Sequence, residues 1–498
     1  PQMNPQESLS GMDSAFLSLE TPTTPMHVMG VFVLDASGET DGYSYQRVLR
    51  LIERRAPGLA PFRRRLVDMP VGLDHPVWVD DPDLDVRRHV HRKVAPAPGS
   101  ERILADLVAR FAAQPLDRTR PLWQLWVVEG LSEGRVALVF KLHHSVADGT
   151  SAALLLLRLL GPSLQEGEEG ALPVPMQSPP IPTSSQLLAH AVSRLPKRSL
   201  GFAQLMLETA ESVPATIRSA LGGTEGSPQV AMPFGAPPTP WNRAISSGRS
   251  VAFGAAPLAD VKLVAAAFDA TVNQVVLAAC ARTLRGYLQA HGGAPDAPLV
   301  AAIPVSLRGP EDVETYGNRI SAMLVHLPTH LAEPEEQLLA VRNHAVSAKQ
   351  RQEKVGAGLF GEWAEFLSTR LLEAAARFYS KRELADHHRP LHNLVISNVR
   401  GPAAPLYAAG ARLTAAYPLG PLMEGAGINI TVMSYAGSVD FGIVACERAV
   451  PCASDIALGF GTAVADLHKI ALERTRSASR SHPRRSAPKA TPPPVAVQ

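Results

Sequence analysis

The stretch RVALVFKLHHSVADGTSAALLLLRLL, Arg135–Leu160, decides the fold class. Arg135 to Leu142 is rich in Val, Leu and Phe and reads as a strand. Thr150 to Leu160, dominated by Ala and Leu, reads as a helix. His143 to Gly149 is then the loop between them, where α/β proteins place reactive groups. A histidine leaving a strand end can be held as a neutral imidazole, one nitrogen fixed by a local hydrogen bond and the other free to accept a hydroxyl proton. Asp148, four residues past His144, can orient that ring or pair with a cation to brace the loop, and Gly149 permits a tight turn.

Outward from this stretch, strands and helices alternate. Met29 to Leu34 and Leu125 to Val128 read as strands, Tyr45 to Arg55 and Ile103 to Ala113 as helices, which gives an α/β domain over residues 1–160. Residues 162–182 are crowded with Pro, Gly and Glu and mark a linker. Leu187, Leu188, Ala191, Val192 and Leu195, then Leu200, Ala203, Leu207 and Ala210, fall at helical spacing and predict two amphipathic helices on either side of Pro196. A second proline-rich stretch, 233–240, closes this connecting region of 161–245. Over 246–473 a second α/β half follows: strand Arg249–Phe253, helix Leu258–Ala267, helix Asn273–His291, strand Leu299–Val305. Residues 474–498, rich in Ser, Pro and Arg, are expected to be disordered.

At 498 residues and 46% hydrophobic content the chain has material for two or more cores. Six cations beyond Glu473 exceed the formal net charge of +2, so the body is close to neutral and does not suggest a nucleic-acid binder. The three cysteines form no C-x-x-C pair, and no basic segment with an apolar signal core opens the sequence, so a cytoplasmic setting is expected. The longest apolar block falls well short of the ~20 residues of a membrane-spanning helix. The amphipathic stretch and basic tail suggest instead a peripheral contact with a membrane or lipid-droplet surface. Trp123 and Trp126 read as core. His387, His388 and His392 have no carboxylate or thiol to complete a ligand set, so no metal is expected. A nucleophile elbow, a P-loop and a dinucleotide glycine motif are all missing.

The H-H-x-x-x-D-G segment resembles the hallmark of the bacterial wax ester synthase/diacylglycerol acyltransferase family, and the likeness extends beyond it. Met12-Asp13 through Phe16, Glu20-Thr21-Pro22 and Pro25-Met26-His27-Val28 look like that family's N-terminal signature. Leu116-Asp117-Arg118 and Pro121-Leu122-Trp123 match its P-L-W block, Asn273 the Asn of its N-D motif, and Ser397-Asn398-Val399-Arg400-Gly401-Pro402 its N-V-P-G-P block. Gln274 stands where the family usually has Asp, Arg400 where it has Pro, and Gln124 where Glu is common.

The resemblance implies two chloramphenicol acetyltransferase-like halves around a channel, each a mixed sheet with flanking helices. It also implies long-chain acyl-CoA as co-substrate with no cofactor, and diacylglycerol or a long-chain alcohol as acceptor. His144 is expected to be the general base, since adjacent residues leaving a strand point in opposite directions and the family's wider relatives often keep only the second histidine. His143, Asp148 and Gly149 then support the loop, Asn273 or a backbone N–H near His143 stabilises the oxyanion, and Arg308, Ser397, Asn398 and Gly401 contact substrate. Arg308 could meet a CoA phosphate or be a solvated turn residue. Two rivals share these motifs: a condensation-type acyltransferase using a carrier-bound acyl group, and a catalytically silent lipid-binding protein. The Met12 to Val28 and P-L-W blocks argue against the first, and Gln274 and Arg400 are the only hints of the second.

Overall fold

Two mixed six-stranded sheets carry the site between them. The computed structural model describes residues 8–38, 43–161, 180–221, 231–309, 316–355 and 359–481. From the N-terminus run α1 (Gly11–Leu19), β1 (His27–Asp35), α2 (Tyr45–Arg55), α3 (Ala60–Arg63), the hairpin β2 (Arg64–Val67) and β3 (Val77–Asp80), β4 (Val90–Val94), α4 (Glu101–Ala113), β5 (Trp123–Glu129), β6 (Arg135–His143) and α5 (Gly149–Leu159). After α6 (Ser184–Leu221) come β7 (Arg249–Pro257), α7 (Leu258–Ala267), α8 (Val272–Ala290), β8 (Leu299–Ser306), β9 (Ile320–Leu327), α9 (Pro334–Val355), α10 (Leu359–Ala364) and α11 (Thr369–Lys381). The chain ends through β10 (Leu394–Arg400), β11 (Tyr407–Ala408), β12 (Ala411–Leu419), β13 (Ile428–Tyr435), β14 (Ser438–Cys446) and α12 (Ala453–Ser481).

The first sheet has the order β11-β12-β1-β6-β5-β4 and the second β7-β14-β13-β10-β8-β9. Burial on both faces explains why β6 reads as a nearly continuous apolar run. The two faces of β1 serve different cores. Phe32 and Leu34 pack with α2, α5 and β5, whereas Met29, Val31 and Val33 pack with α4 and with Phe253 and Val444 of the second sheet. That second layer, α4 wedged between the sheets, joins the halves.

Several expectations are corrected. β12 belongs by sequence to the second half, yet it pairs antiparallel with β1 from Met29↔Leu419 to Asp35↔Arg412 and so completes the first sheet. The two helices expected around Pro196 are one, α6, pinned by Leu187 and Ala191 against Met69 and Val77 and by Arg194 and Arg198 on Asp74. Helix α12 carries the chain to Ser481, with Arg474 bonded to Glu335 at 2.7 Å and set over the Phe268 ring, so the first part of the expected tail is helical. Most of the proline-rich linker, 162–179, and the tail from 482 lie outside the described residues. Trp123 is buried as core, donating from Nε1 to Phe62 O at 2.9 Å, and Trp126 stacks on Phe111.

Candidate active site

β6 runs one residue further than its sequence suggested and delivers His143 inside the sheet, opposite His27 of β1. The alternation of the strand then separates the two histidines. His143 turns away from the cavity and is fully buried. Its Nδ1 accepts from the Ser145 N–H at 3.1 Å and lies 2.8 Å from Ser145 Oγ, so the ring proton sits on Nε2, 3.6 Å from Glu20 Oε1. Glu20 in turn receives Arg118 at 2.7 Å and stands 3.5 Å from His27. Burial pushes both imidazoles below their ordinary pKa. Burial opposes ionisation of Glu20, but His143 first, and then Arg118 and His27, hold its pKa down to about 2.

His144 faces the other way, into a cavity of about 460 Å³ between the two halves. Its backbone N–H donates to Met26 O at 2.7 Å, and the Phe16 ring of α1 stacks on the imidazole with centroids 4.0 Å apart. Nδ1 lies 3.0 Å from Asn318 Oδ1. The Asn318 amide has one possible orientation, because its Nδ2 donates to Asp13 Oδ1 at 2.7 Å and to His144 O at 2.6 Å. Asn318 Oδ1 is therefore an acceptor and His144 Nδ1 carries the proton, leaving Nε2 with its lone pair. Adjacent histidines thus hold opposite tautomers. Burial is the main reason the His144 pKa drops to about 4, which keeps the ring neutral at physiological pH.

Asp13 anchors this arrangement from α1, taking the Asn318 N–H as well at 2.8 Å. Desolvation raises its pKa to about 6 in spite of those donors. Gly317 makes the approach possible: its φ is +92°, and a Cβ there would meet Asp13 Oδ2 at 3.0 Å.

Asp148 leaves the ring to Asn318 and takes the bracing role. Its carboxylate bonds the Ser151 N–H at 2.8 Å and Arg308 Nε and Nη2 at 3.2 Å each. Arg308 Nη2 also reaches Ser151 Oγ and Gly317 O, both at 2.6 Å, and the side chain is almost wholly buried. Neither expectation for Arg308 holds, since its guanidinium is committed to the loop of the other half rather than offered to a phosphate or to solvent. Gly149 is needed less for a turn than for space, because a Cβ would come 2.9 Å from Val399 Cγ2.

The remaining expected residues divide. Ser397 lines the cavity. Asn398 and Asn273 bond each other at 3.3 Å and are not among its lining residues. The N-cap of α8 is Thr271, in a capping box closed by Gln274, whose Oε1 accepts the Thr271 N–H at 2.8 Å. The Gln that replaces the family's Asp therefore has a helix-capping task. Gly401 lets the chain pass over the Ser434 carbonyl, 2.5 Å from where a Cβ would stand. The backbone N–H groups of His143 to Val146 all have acceptors within the protein, so none is available to an oxyanion. His387 and His388 are exposed, whereas His392 lines the cavity.

Sequence reasoning missed Asn318 and the parts played by Asp13, Phe16, Glu20 and Arg118. Four of these lie in the quoted N-terminal and P-L-W blocks. Asn318 had one signal, the Tyr316-Gly317-Asn318-Arg319 cluster just ahead of a strand.

The model of the wax ester synthase/diacylglycerol acyltransferase catalytic domain matches residues 9–276, and that of the WS/DGAT C-terminal domain matches 316–468. The chain belongs to this family. Among its relatives, a putative diacylglycerol O-acyltransferase of Mycobacterium tuberculosis is 38% identical over 466 residues, 93% of this chain and 90% of that one. Another from the same organism is 34% identical, covering 91% and 95%. The wax ester synthase/diacylglycerol acyltransferase of Marinobacter aquaeolei VT8 superposes with a TM-score of 0.64 at 28% identity, over 93% of this chain and 99% of that one. The first condensation domain of the calcium-dependent antibiotic synthetase, at 16% identity and a TM-score of 0.54 over 93% and 96%, shares the fold. Both expected halves of the acyltransferase architecture are thereby present.

Proposed function

We propose that this family member transfers an acyl group from long-chain acyl-CoA directly to the hydroxyl of diacylglycerol, with His144 as general base. The observation that carries the mechanism is the fixed tautomer. Asn318 holds the Nδ1 proton, and Nε2 faces a largely apolar cavity of about 460 Å³. In the proposed step, Nε2 takes the hydroxyl proton as the oxygen attacks the thioester carbon. The tetrahedral intermediate then expels the CoA thiolate, which takes the proton from the imidazolium. The balance contains no prosthetic group, and acyl-CoA is a co-substrate. Ser397 Oγ, on the strand that touches Gly149 and without a hydrogen-bond partner among the described residues, is the side-chain donor best set to meet the oxyanion. It replaces Asn273 in that role.

The same reading gives the protein a peripheral station on a lipid surface, at the inner face of the membrane or on lipid bodies, in the compartment that holds acyl-CoA. Among the described residues no single helix is long and apolar enough to cross a membrane. Helix α11, in contrast, buries no side chain fully and exposes Leu371 and Phe378, 73% and 58% accessible, beside Arg370, Arg377 and Lys381. The deciding assay supplies purified protein with palmitoyl-CoA and dioleoylglycerol and follows thiol release together with triacylglycerol. Thiol without triacylglycerol would reject the transfer, and no thiol at all would favour a silent lipid binder. Long-chain alcohol in competition ranks the second acceptor class.

A further inference from the structure

Outside the catalytic loop, the polar side chains of the cavity fall in a line, apart from Ser321 of β9. β10 and β13 are parallel, with Val395 opposite Asn429, Ser397 opposite Thr431 and Val399 opposite Met433, and all six line the cavity. Val399 marks the inner end, against Gly149. One rung out stand the Ser397 and Thr431 hydroxyls. The next carries the Asn429 amide, which accepts from Thr431 Oγ1 at 2.8 Å and donates to Pro421 O at 3.0 Å. Beyond the strand end comes His392. Its side chain lines the cavity, the residue is 6% accessible, and neither ring nitrogen has a hydrogen-bond partner among the described residues. Leu391 and Met423, which also line the cavity, are 43% and 37% accessible, so this end opens to solvent.

The ring nitrogens of His392 have no protein partner among the described residues and face the cavity, where a polar group of the substrate can take the place of water. Burial alone pulls the His392 pKa to about 4, so the ring offers one donor and one acceptor and no charge. Seven residues separate His392 from Val399, a span of roughly 20 Å at the rise of a strand. The chemistry of the reactants decides what can reach it. In diacylglycerol the ester oxygens sit within a few bonds of the reacting hydroxyl, and beyond them lie only methylenes. The acyl chain has no polar atom after its thioester. The pantetheine arm of CoA differs, for it spaces two amides and a hydroxyl along its length before the diphosphate. That hydroxyl adjoins a gem-dimethyl carbon, which suits a histidine flanked by Leu391 and Met423. The acyl chain is then left the other limb, toward Phe32, Phe62 and Leu159, where the lining is apolar.

We infer that the β10–β13 face is the track of the pantetheine arm and that His392 is its outer hydrogen-bonding station, a specificity-determining residue that selects CoA over shorter thioesters. The inference rests on the acyl-CoA reading above. It is tested on the full-length chain with two donors, palmitoyl-CoA and palmitoyl-N-acetylcysteamine, the second too short to reach His392. His392→Ala should lose about tenfold more kcat/KM with the CoA ester than with the short one, and weaken calorimetric binding of free CoA by about tenfold. His392→Gln, which keeps a donor and an acceptor, should recover most of both. Equal losses with the two donors would reduce His392 to packing, and a loss confined to the KM of dioleoylglycerol would give this limb to the acceptor. Either result overturns the inference. If the parent turns over neither donor, the acyltransferase reading falls, while CoA binding by parent and variants still decides whether the track exists.

Discussion

At the scale of single residues, the proposed catalysis rests on His144, whose tautomer is opposite to that of its neighbour His143. Loss of a general base typically costs about 10² to 10⁴-fold in rate. His144→Ala is expected to lose that much kcat while the calorimetric affinity for palmitoyl-CoA stays close to the parent's. His143→Ala should retain measurable turnover, because His143 touches Glu20 and Ser145 rather than the cavity. A dead His143→Ala beside an active, folded His144→Ala would reverse the roles. Asn318 acts through His144, as a positioning residue. Asn318→Ala frees the ring to rotate and to take the other tautomer, so kcat should fall about 10²-fold with little change in KM and with an altered pH–rate profile. An unchanged profile would leave Asn318 a purely structural role. Stability should also follow pH. His144 and His392 have folded pKa values of about 4 against an ordinary 6.5, so unfolding between those limits takes up protons at both rings. Their contribution is complete above pH 6.5 and declines as pH falls to about 4. Asp13, raised to about 6 from 3.8, works in the opposite sense over nearly the same window but is one group against two. The melting temperature should therefore be lower at pH 4.5 than at pH 7, and a flat or inverted profile in thermal melts would contradict the burial of these rings. The histidine pair and its asymmetry were legible in the sequence, since strand alternation is local. Asn318 was not, because it lies 174 positions from His144 and nothing local joins them.

At the scale of elements, the reactive loop is held by a buried ion pair from the other half of the chain. Breaking such a pair by removing one partner costs about 3–5 kcal/mol, because the other charge stays buried. Asp148→Asn should accordingly lower the urea midpoint as well as activity. Asp148→Asn/Arg308→Met, which removes both charges, should be less damaged in stability than the sum of the single changes. Strict additivity in equilibrium melts would show that the two side chains do not couple. Helix and strand periods identified most of the elements: α2 and α7 match their expected limits, and β1, α4, α8 and β8 fall within about two residues. The reading failed where tertiary contacts overrule local rules. Pro196 suggested a break, but α6 continues past it, held on one face by the hairpin and by Asp74. Asn273 reads as the head of α8, but that helix begins one residue earlier and takes its capping hydroxyl from Thr271.

At the scale of the whole molecule, the lipid contact proposed for α11 would lie close to one end of the cavity. Ser380 of α11 bonds Thr23 at 2.8 Å, Thr23 bonds Glu424 at 3.0 Å, and the next residue back, Met423, lines the cavity. Leu371→Ser/Phe378→Ser should therefore float poorly with anionic vesicles and turn over vesicle-borne dioleoylglycerol several-fold more slowly, while thiol release with a soluble short-chain alcohol persists. Equal flotation of parent and variant would remove α11 from the lipid contact. The two-half architecture was readable from composition and motif order, but the exchange of β12 was not, since nothing in Ala411–Leu419 says which sheet it joins. That exchange bears on how the protein is made. β1 leaves the ribosome almost 400 residues before its partner β12, and until residue 419 has been synthesised one edge of β1 is unpaired, as are the apolar side chains around it. The newborn first half therefore has to be shielded from other chains for most of its translation. A gene cut between residues 161 and 180 should yield an N-terminal fragment that aggregates alone but becomes soluble when the C-terminal fragment is co-expressed.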